Sequence, residues 1–164
     1  MCLTCKTGAY NQVLHELLKL GVPSLDMFLL FGSVDIIVQF RGLKNLDEFK
    51  EKWFNPIRMI GSEEGLITRT MTLIVIKSYA REGAIPPFVF LFLNTWPRNL
   101  DKVQAALMKI PEVICADTVF GPYSVICWVK AYDRADLERI LSQFRENIPE
   151  IENTIIAGAV MLRL

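Results

Sequence analysis

The sequence predicts an α+β protein built from two tandem βαββαβ units. Three observations lead there. One stretch occurs twice: Phe31-Gly32-Ser33-Val34-Asp35-Ile36-Ile37-Val38 returns as Phe120-Gly121-Pro122-Tyr123-Ser124-Val125-Ile126-Cys127, with the glycines 89 residues apart (121 − 32). An offset of about one small domain is what a duplication leaves behind. Around each copy the apolar periodicity runs strand, helix, strand, strand, helix, strand, the split βαβ order. Finally, 164 residues that are 52% hydrophobic hold enough apolar side chains for two small cores. The expected domains are residues 1–77 and 88–164, joined by a linker over 78–87.

The elements follow in order. Residues 1–7 read as a short first strand. Tyr10 to Leu20 carries Val13, Leu14, Leu17, Leu18 and Leu20 at helical spacing, and Gly21 and Pro23 end it. Leu25 to Phe31 and Asp35 to Phe40 are strands about a turn at Gly32 to Val34, where glycine permits a backbone that a Cβ would strain. Asn45 or Asp47 can cap a helix bearing Leu46, Phe49, Trp53, Phe54, Ile57 and Ile60. Gly61 to Gly65 breaks it, and Thr68 to Lys77 is the fourth strand. The stretch SYAREGAIPP over 78–87 holds Gly83, Pro86 and Pro87, which suit a linker. The order then repeats. Phe88 to Leu93 is a strand, and Pro97 opens a helix carrying Leu100, Val103, Ala106, Leu107 and Ile110 that Pro111 stops. Cys115 to Phe120 and Ser124 to Lys130 flank Gly121. Asp133 or Asp136 starts a helix with Leu137, Ile140, Leu141, Phe144 and Ile148 inward, and Thr154 to Leu164 closes the unit.

Phe88 to Leu93 is apolar on both faces, as is Leu73 to Ile76. An antiparallel sheet with one wet face should alternate. Two helices cover one face of a four-stranded ferredoxin-like sheet, so the other face needs a second apolar layer. The expected solution is an intramolecular pseudo-dimer, with helices outside and the two sheets packed face to face.

Charge excludes some functions. Eighteen Lys and Arg balance eighteen Asp and Glu. The balance is also local: residues 1–76 carry eight of each sign, and residues 88–164 carry eight basic and nine acidic. Nucleic-acid binding usually needs a basic footprint that neither half has. Cys2 and Cys5 form a CxxC, but no second pair or nearby histidine completes a zinc site, and strand positions i and i+3 face opposite ways. Structural thiols, and hence a reducing, cytoplasmic setting, are the expectation. No apolar run is long enough to span a membrane, and no signal peptide fits the start.

The second half resembles the effector-binding (RAM) domain of the leucine-responsive/AsnC transcription regulators. The residues that carry the likeness are FVFLFLNT, the helix ending Ile110-Pro111-Glu112-Val113, the Gly121 hairpin, the Val-Lys-Ala-x-Asp segment and Ile148-Pro149-Glu150-Ile151. The first half resembles the same domain through Gly32-x-x-Asp35 and Arg69-Thr70-Met71-Thr72-Leu73-Ile74-Val75. Members of that family usually place a helix-turn-helix domain first, and here the first strand starts at Met1. The resemblance implies a stand-alone tandem effector module without direct DNA binding. It also implies a small-molecule effector such as an amino acid, association into homo-oligomers, and pairing with full-length regulators of the family.

The candidate site is the first hairpin. Asp35 beside the Gly32, Ser33 and Val34 turn offers a carboxylate for an ammonium and backbone amides for a carboxylate. The bland alternative is a turn residue making a local cap. Thr70 and Thr72 share a strand face and offer hydroxyls, and the resemblance places a Thr-x-Thr there; without that resemblance ordinary β-propensity is the preferred account. In the second copy, Gly121, Tyr123, Ser124 and Thr154 hold the matching positions. Ser124 replaces the acid and Ile156 falls where the second Thr belongs, so that copy is expected to be mainly scaffold. Tyr123 and Trp128 read first as core, and His15 as an exposed helical residue. No metal, cofactor or catalytic residue is expected. Two rivals remain: a small ferredoxin-like α+β barrel enzyme, which needs an enclosed acid/base cavity, and a purely structural oligomerisation module.

Overall fold

The computed structural model describes residues 1–81 and 87–163, apart from the side chains of 160–163. The chain forms two compact units, Met1–Thr72 with Leu162–Leu164, and Leu73–Met161.

The first unit runs β1 (Cys2–Cys5), α1 (Tyr10–Lys19), β2 (Met27–Gly32), β3 (Ile36–Val38), α2 (Leu46–Phe49), α3 (Asn55–Ser62) and β4 (Ile67–Met71). Its strands are antiparallel in the order β4-β1-β3-β2, the ferredoxin-like arrangement. α1 ends where the sequence predicts. Gly21 takes φ +83°, the Val22 N–H donates to Leu17 O and the Gly21 N–H to Leu18 O, so the last carbonyls are met by a Schellman turn. Asn45 caps α2 by accepting from the Glu48 N–H at 2.8 Å, and Glu48 reaches back to the Lys44 N–H. The helix predicted from there as one piece is interrupted by a π turn over Lys50–Phe54, closed by the Asn55 N–H on Lys50 O. Pro56 follows directly; its ring crowds the preceding turn and it has no N–H to give, so the wider turn relieves both. Leu46, expected inward, is exposed.

The second unit runs β5 (Ile74–Lys77), β6 (Phe88–Asn94), α4 (Leu100–Leu107), β7 (Val113–Phe120), β8 (Val125–Val129), α5 (Arg134–Asn147) and, as far as Met161, β9 (Asn153–Arg163). Its strand order is β9-β6-β8-β7-β5, all antiparallel. Four of these strands repeat the ferredoxin-like order, and β5 is an extra edge. Pro97 opens a 3-10 turn over Pro97–Asn99 ahead of α4, and Asp133 caps α5 by accepting from the Asp136 N–H at 2.8 Å.

Three expectations change here. The fourth strand, read as Thr68 to Lys77, is divided: it stops at Met71, and Ile74–Lys77 pairs with β7 in the second unit. Leu73 to Ile76, read as buried on both faces, is half-buried at Leu73 and exposed at Ile74, Val75 and Ile76, because β5 lies at a sheet edge. The linker also starts later than residue 78. Ala80 bridges to Cys115, the Ala116 N–H donates to Tyr79 O, and the Arg81 N–H donates to Ile114 O. The Arg81 guanidinium donates to Met108 O and Ile110 O. Residues 78–81 therefore prolong the β7 edge; Gly83 and Pro86 lie outside the described residues.

Each unit has its own helix-side core. In the first, Val13, Leu17, Trp53, Ile57 and Ile60 pack on Leu3, Met27, Leu29, Ile36 and Val38. In the second, Val103, Leu107, Ile140 and Phe144 pack on Leu91, Leu93, Val125, Cys127 and Val129. The opposite sheet faces are also out of water: Phe88, Phe90 and Phe92 in one unit, Cys2, Phe28, Leu30 and Ile37 in the other. Burial on both faces is what the unbroken apolar runs call for.

Candidate functional site

At the first hairpin tip Phe31, Gly32 and Ser33 are exposed, Val34 is buried and Asp35 is half-buried. Strand pairing fixes Asp35: the Leu30 N–H donates to its carbonyl, and its own N–H donates to Leu3 O at 3.0 Å. Its carboxylate Oδ2 accepts the Cys5 N–H at 2.7 Å. That donor needs an outside acceptor because the β1–β4 register slips between Thr4 and Cys5. Asp35 thus fills the local backbone role that a turn aspartate often takes, at the position predicted for the ligand. Around it, burial and then the Asp35 charge push the Cys5 thiol up to about 12. Tyr10, raised by burial and then by Cys5 and Asp35, also reaches about 12. Both stay neutral at physiological pH.

The second hairpin uses the same construction without the charge. The Ser124 N–H donates to Leu93 O at 2.9 Å, as Asp35 does to Leu3. Ser124 Oγ accepts the Thr95 N–H at 3.3 Å and donates to Thr95 O at 3.0 Å. Thr95 stands two residues after Leu93, as Cys5 stands two after Leu3. Buried Thr95 also donates its hydroxyl to Glu150 O at 2.7 Å, tying the hairpin to the segment before β9. Neither Asp35 nor Ser124 is a spare polar group; Asp35 closes the end of β1 and Ser124 the end of β6. Gly121 lies at the exposed turn, and Tyr123 stacks on Phe92 with centroids 4.6 Å apart. Trp128 packs on Phe88 and Phe90, in line with its core reading.

The threonines are not gathered with the tips inside a unit. Thr70 pairs with Leu3, which pairs with Ile36 on its other side. β1 thus separates Thr70 from the hairpin strand by two strand spacings, roughly 10 Å. Thr72 lies past the Cys2–Met71 pair, farther from the tip, and its buried hydroxyl has no hydrogen-bond partner among the described residues. Thr154 pairs with Leu93, one strand away from Val125. His15 is exposed on α1.

One buried polar cluster escaped the sequence reading. Asp117 on β7, 6% exposed, accepts from Ser78 Oγ at 2.5 Å and from Cys115 Sγ at 3.1 Å. Burial and then Asp117 push the Cys115 and Cys127 thiols upward, out of the reactive range. The signal was present: one acid inside the otherwise apolar run VICADTVF. Cys5 packs on the helix-side core while Cys2 does not, and the described residues contain no group of three or more His, Cys, Asp or Glu placed to hold a metal. No described helix is long and apolar enough to cross a membrane.

Comparison with known proteins locates the likeness. Residues 88–157 match the family described as the Lrp/AsnC ligand binding domain. A crystal structure of a hypothetical protein from Pyrococcus horikoshii is 26% identical, covering 47% of this chain and 93% of its own, with a TM-score of 0.43. A protein from Thermus thermophilus is 20% identical, covering 48% of this chain and all of its own, with a TM-score of 0.41. No curated protein matches the chain. The span matched as a ligand binding domain runs from the first residue of β6 into β9 and contains the Gly121 hairpin, so the likeness to the Lrp/AsnC ligand binding domain lies within the second unit.

Proposed function

We propose that the chain is an effector-binding and assembly module of the Lrp/AsnC type. It binds an amino acid or a related small polar metabolite and modulates transcription without touching DNA itself. The observation that carries this reading is the match of residues 88–157 to the ligand binding domain of that family. The near-repeat of its hairpin construction at Asp35 extends it to the first unit. The effector loop is Gly32, Ser33, Val34 and Asp35, whose carboxylate keeps lone pairs for an ammonium beyond the Cys5 bond. Balanced local charge supports the absence of a nucleic-acid surface. We read the module as non-catalytic and cytoplasmic, a reading supported by its free thiols at Cys2, Cys5, Cys115 and Cys127 and by an exposed His15 with no nucleophile assigned to it. Association with further copies, or with full-length regulators of the family, uses the apolar edge at Ile74, Val75 and Ile76, which are 39%, 50% and 65% exposed. Phe120, paired with Ile74, is 70% exposed beside it.

A second reading, a purely structural oligomerisation module, is favoured by one observation: the Asp35 carboxylate already serves the Cys5 N–H. A thermal-shift screen with the twenty amino acids separates the two. The effector reading expects at least one to raise the melting temperature. Asp35→Ser, which keeps an acceptor for Cys5 as Ser124 does for Thr95, should abolish that rise. No shift with any amino acid supports the structural module.

A further inference from the structure

The geometry points to a second small-molecule site, on the second unit, for a planar aromatic acid held between the Trp96 indole and the Arg98 guanidinium. An open cleft of about 370 Å³ is lined by Trp96, Pro97 and Arg98 among the described residues, within the size range of small-ligand clefts. The three tryptophans of the chain are used differently. Trp53 is 8% exposed in the first core, and Trp128 packs on two phenylalanine rings. Trp96 is 57% exposed and has no ring partner among the described residues. A tryptophan presented to solvent beside a cleft is a stacking surface, and its indole face carries the negative side of the ring quadrupole. Arg98, exposed next to it, makes no ion pair with any described residue. Its fork of N–H donors is shaped for a carboxylate.

The platform beneath these side chains is stiff. Thr95 is fixed on three atoms, its N–H and carbonyl by Ser124 Oγ and its hydroxyl by Glu150 O. The proline ring fixes φ at Pro97, and the Asn99 N–H closes the turn on Trp96 O at 2.8 Å. Holding the ring and the charge in place beforehand lowers the ordering cost of binding. The matching segment of the first unit is Lys6-Thr7-Gly8, with no aromatic residue, so this cleft is particular to the second unit. It goes beyond the effector loop at Asp35, which lies in the other unit. The Ser124–Thr95 bonds connect the cleft to the second hairpin.

The test is an NMR titration of the 15N-labelled full chain, following the three indole N–H signals, with Trp96 assigned from Trp96→Phe. The probes are benzoate and indole-3-carboxylate, with cyclohexanecarboxylate as the non-planar acid and indole as the uncharged ring. The expected result is a saturable shift of the Trp96 signal with the planar acids alone. Trp96→Ala should weaken binding about tenfold, and Arg98→Gln about threefold, the scale of an exposed charge pair. Exposed Trp96 and Arg98 can be replaced without touching either core, so the variants fold. The inference is overturned if the Trp96 signal does not move, or if all four probes move it alike. Amino-acid binding that ignores both variants leaves the effector reading standing and this one without support.

Discussion

The pairing of Asp35 with Cys5, and of Ser124 with Thr95, makes a sharp prediction. In Asp35→Ala the Cys5 N–H, half-buried and off the β4 register, loses its acceptor. The lost bond is charge-assisted at 2.7 Å. Bonds of this kind contribute about 1.5–3 kcal/mol, and a stranded donor costs about 1–3 kcal/mol, so a loss of about 2 kcal/mol in the first unit is expected. Asp35→Ser should recover roughly half, since a hydroxyl can accept the same N–H. Ser124→Ala removes one longer bond at 3.3 Å and one at 3.0 Å and should cost about 1 kcal/mol. Ser124→Asp should also destabilise, because a carboxylate cannot donate to Thr95 O and would face it with like charge. Urea unfolding gives the free energies, and native-state hydrogen exchange reads the amides of Cys5 and Thr95 directly. Faster exchange at Cys5 in Asp35→Ala, and at Thr95 in Ser124→Ala, is the expected signature. If Asp35→Ala leaves Cys5 protection unchanged and costs under about 0.5 kcal/mol, the capping role is wrong.

Other outcomes follow from the same structure. Glu112 accepts from Arg139 at 2.6 Å, which holds its carboxyl below the ordinary value of 4.5. A depressed acid stabilises above its ordinary value and loses that contribution as the pH falls through the folded one. Wild type should therefore exceed Glu112→Gln by up to about 1 kcal/mol near neutrality, the scale of a solvent-screened pair, with the gap closing in acid melts. Burial of Cys2, Cys115 and Cys127, and the raised Cys5 thiol, predict that a thiol reagent labels the native protein slowly and all four cysteines once urea unfolds it. Rapid native labelling of Cys2 or Cys5 would refute this. Val75→Lys puts a charge on the exposed β5 edge and should reduce self-association in sedimentation without lowering the melting temperature; unchanged association would clear that edge of the role.

Much of the fold was legible because the apolar period survives in nearly every element. Asn45 and Asp133 act as caps, Gly21 stops α1, and Val13, Leu17, Val103, Ile140 and Phe144 face inward as their spacing requires. The sequence could not show that one apolar run, Thr68 to Lys77, serves two units, because a break at Thr72-Leu73 carries no glycine or proline. Nor could it show that Ser78, in a polar stretch, is anchored by Asp117. For the candidate site, the Gly-x-x-Asp pattern located the hairpin, but the partner of Asp35 is a backbone amide more than two dozen residues away, and a backbone amide leaves no signature in composition. The Trp96 cleft was missed because an exposed aromatic residue beside a proline reads as a helix start.

The most direct test of the effector account is a backbone-amide NMR titration of the full chain with the amino acid that gives the largest thermal shift. If no amino acid gives one, an equimolar mixture of all twenty serves. The account predicts saturable shifts at Gly32, Ser33, Val34 and Asp35, with Asp35→Ser folded but unresponsive. Amides at that turn that stay still at millimolar ligand, or a response that Asp35→Ser leaves intact, would contradict it.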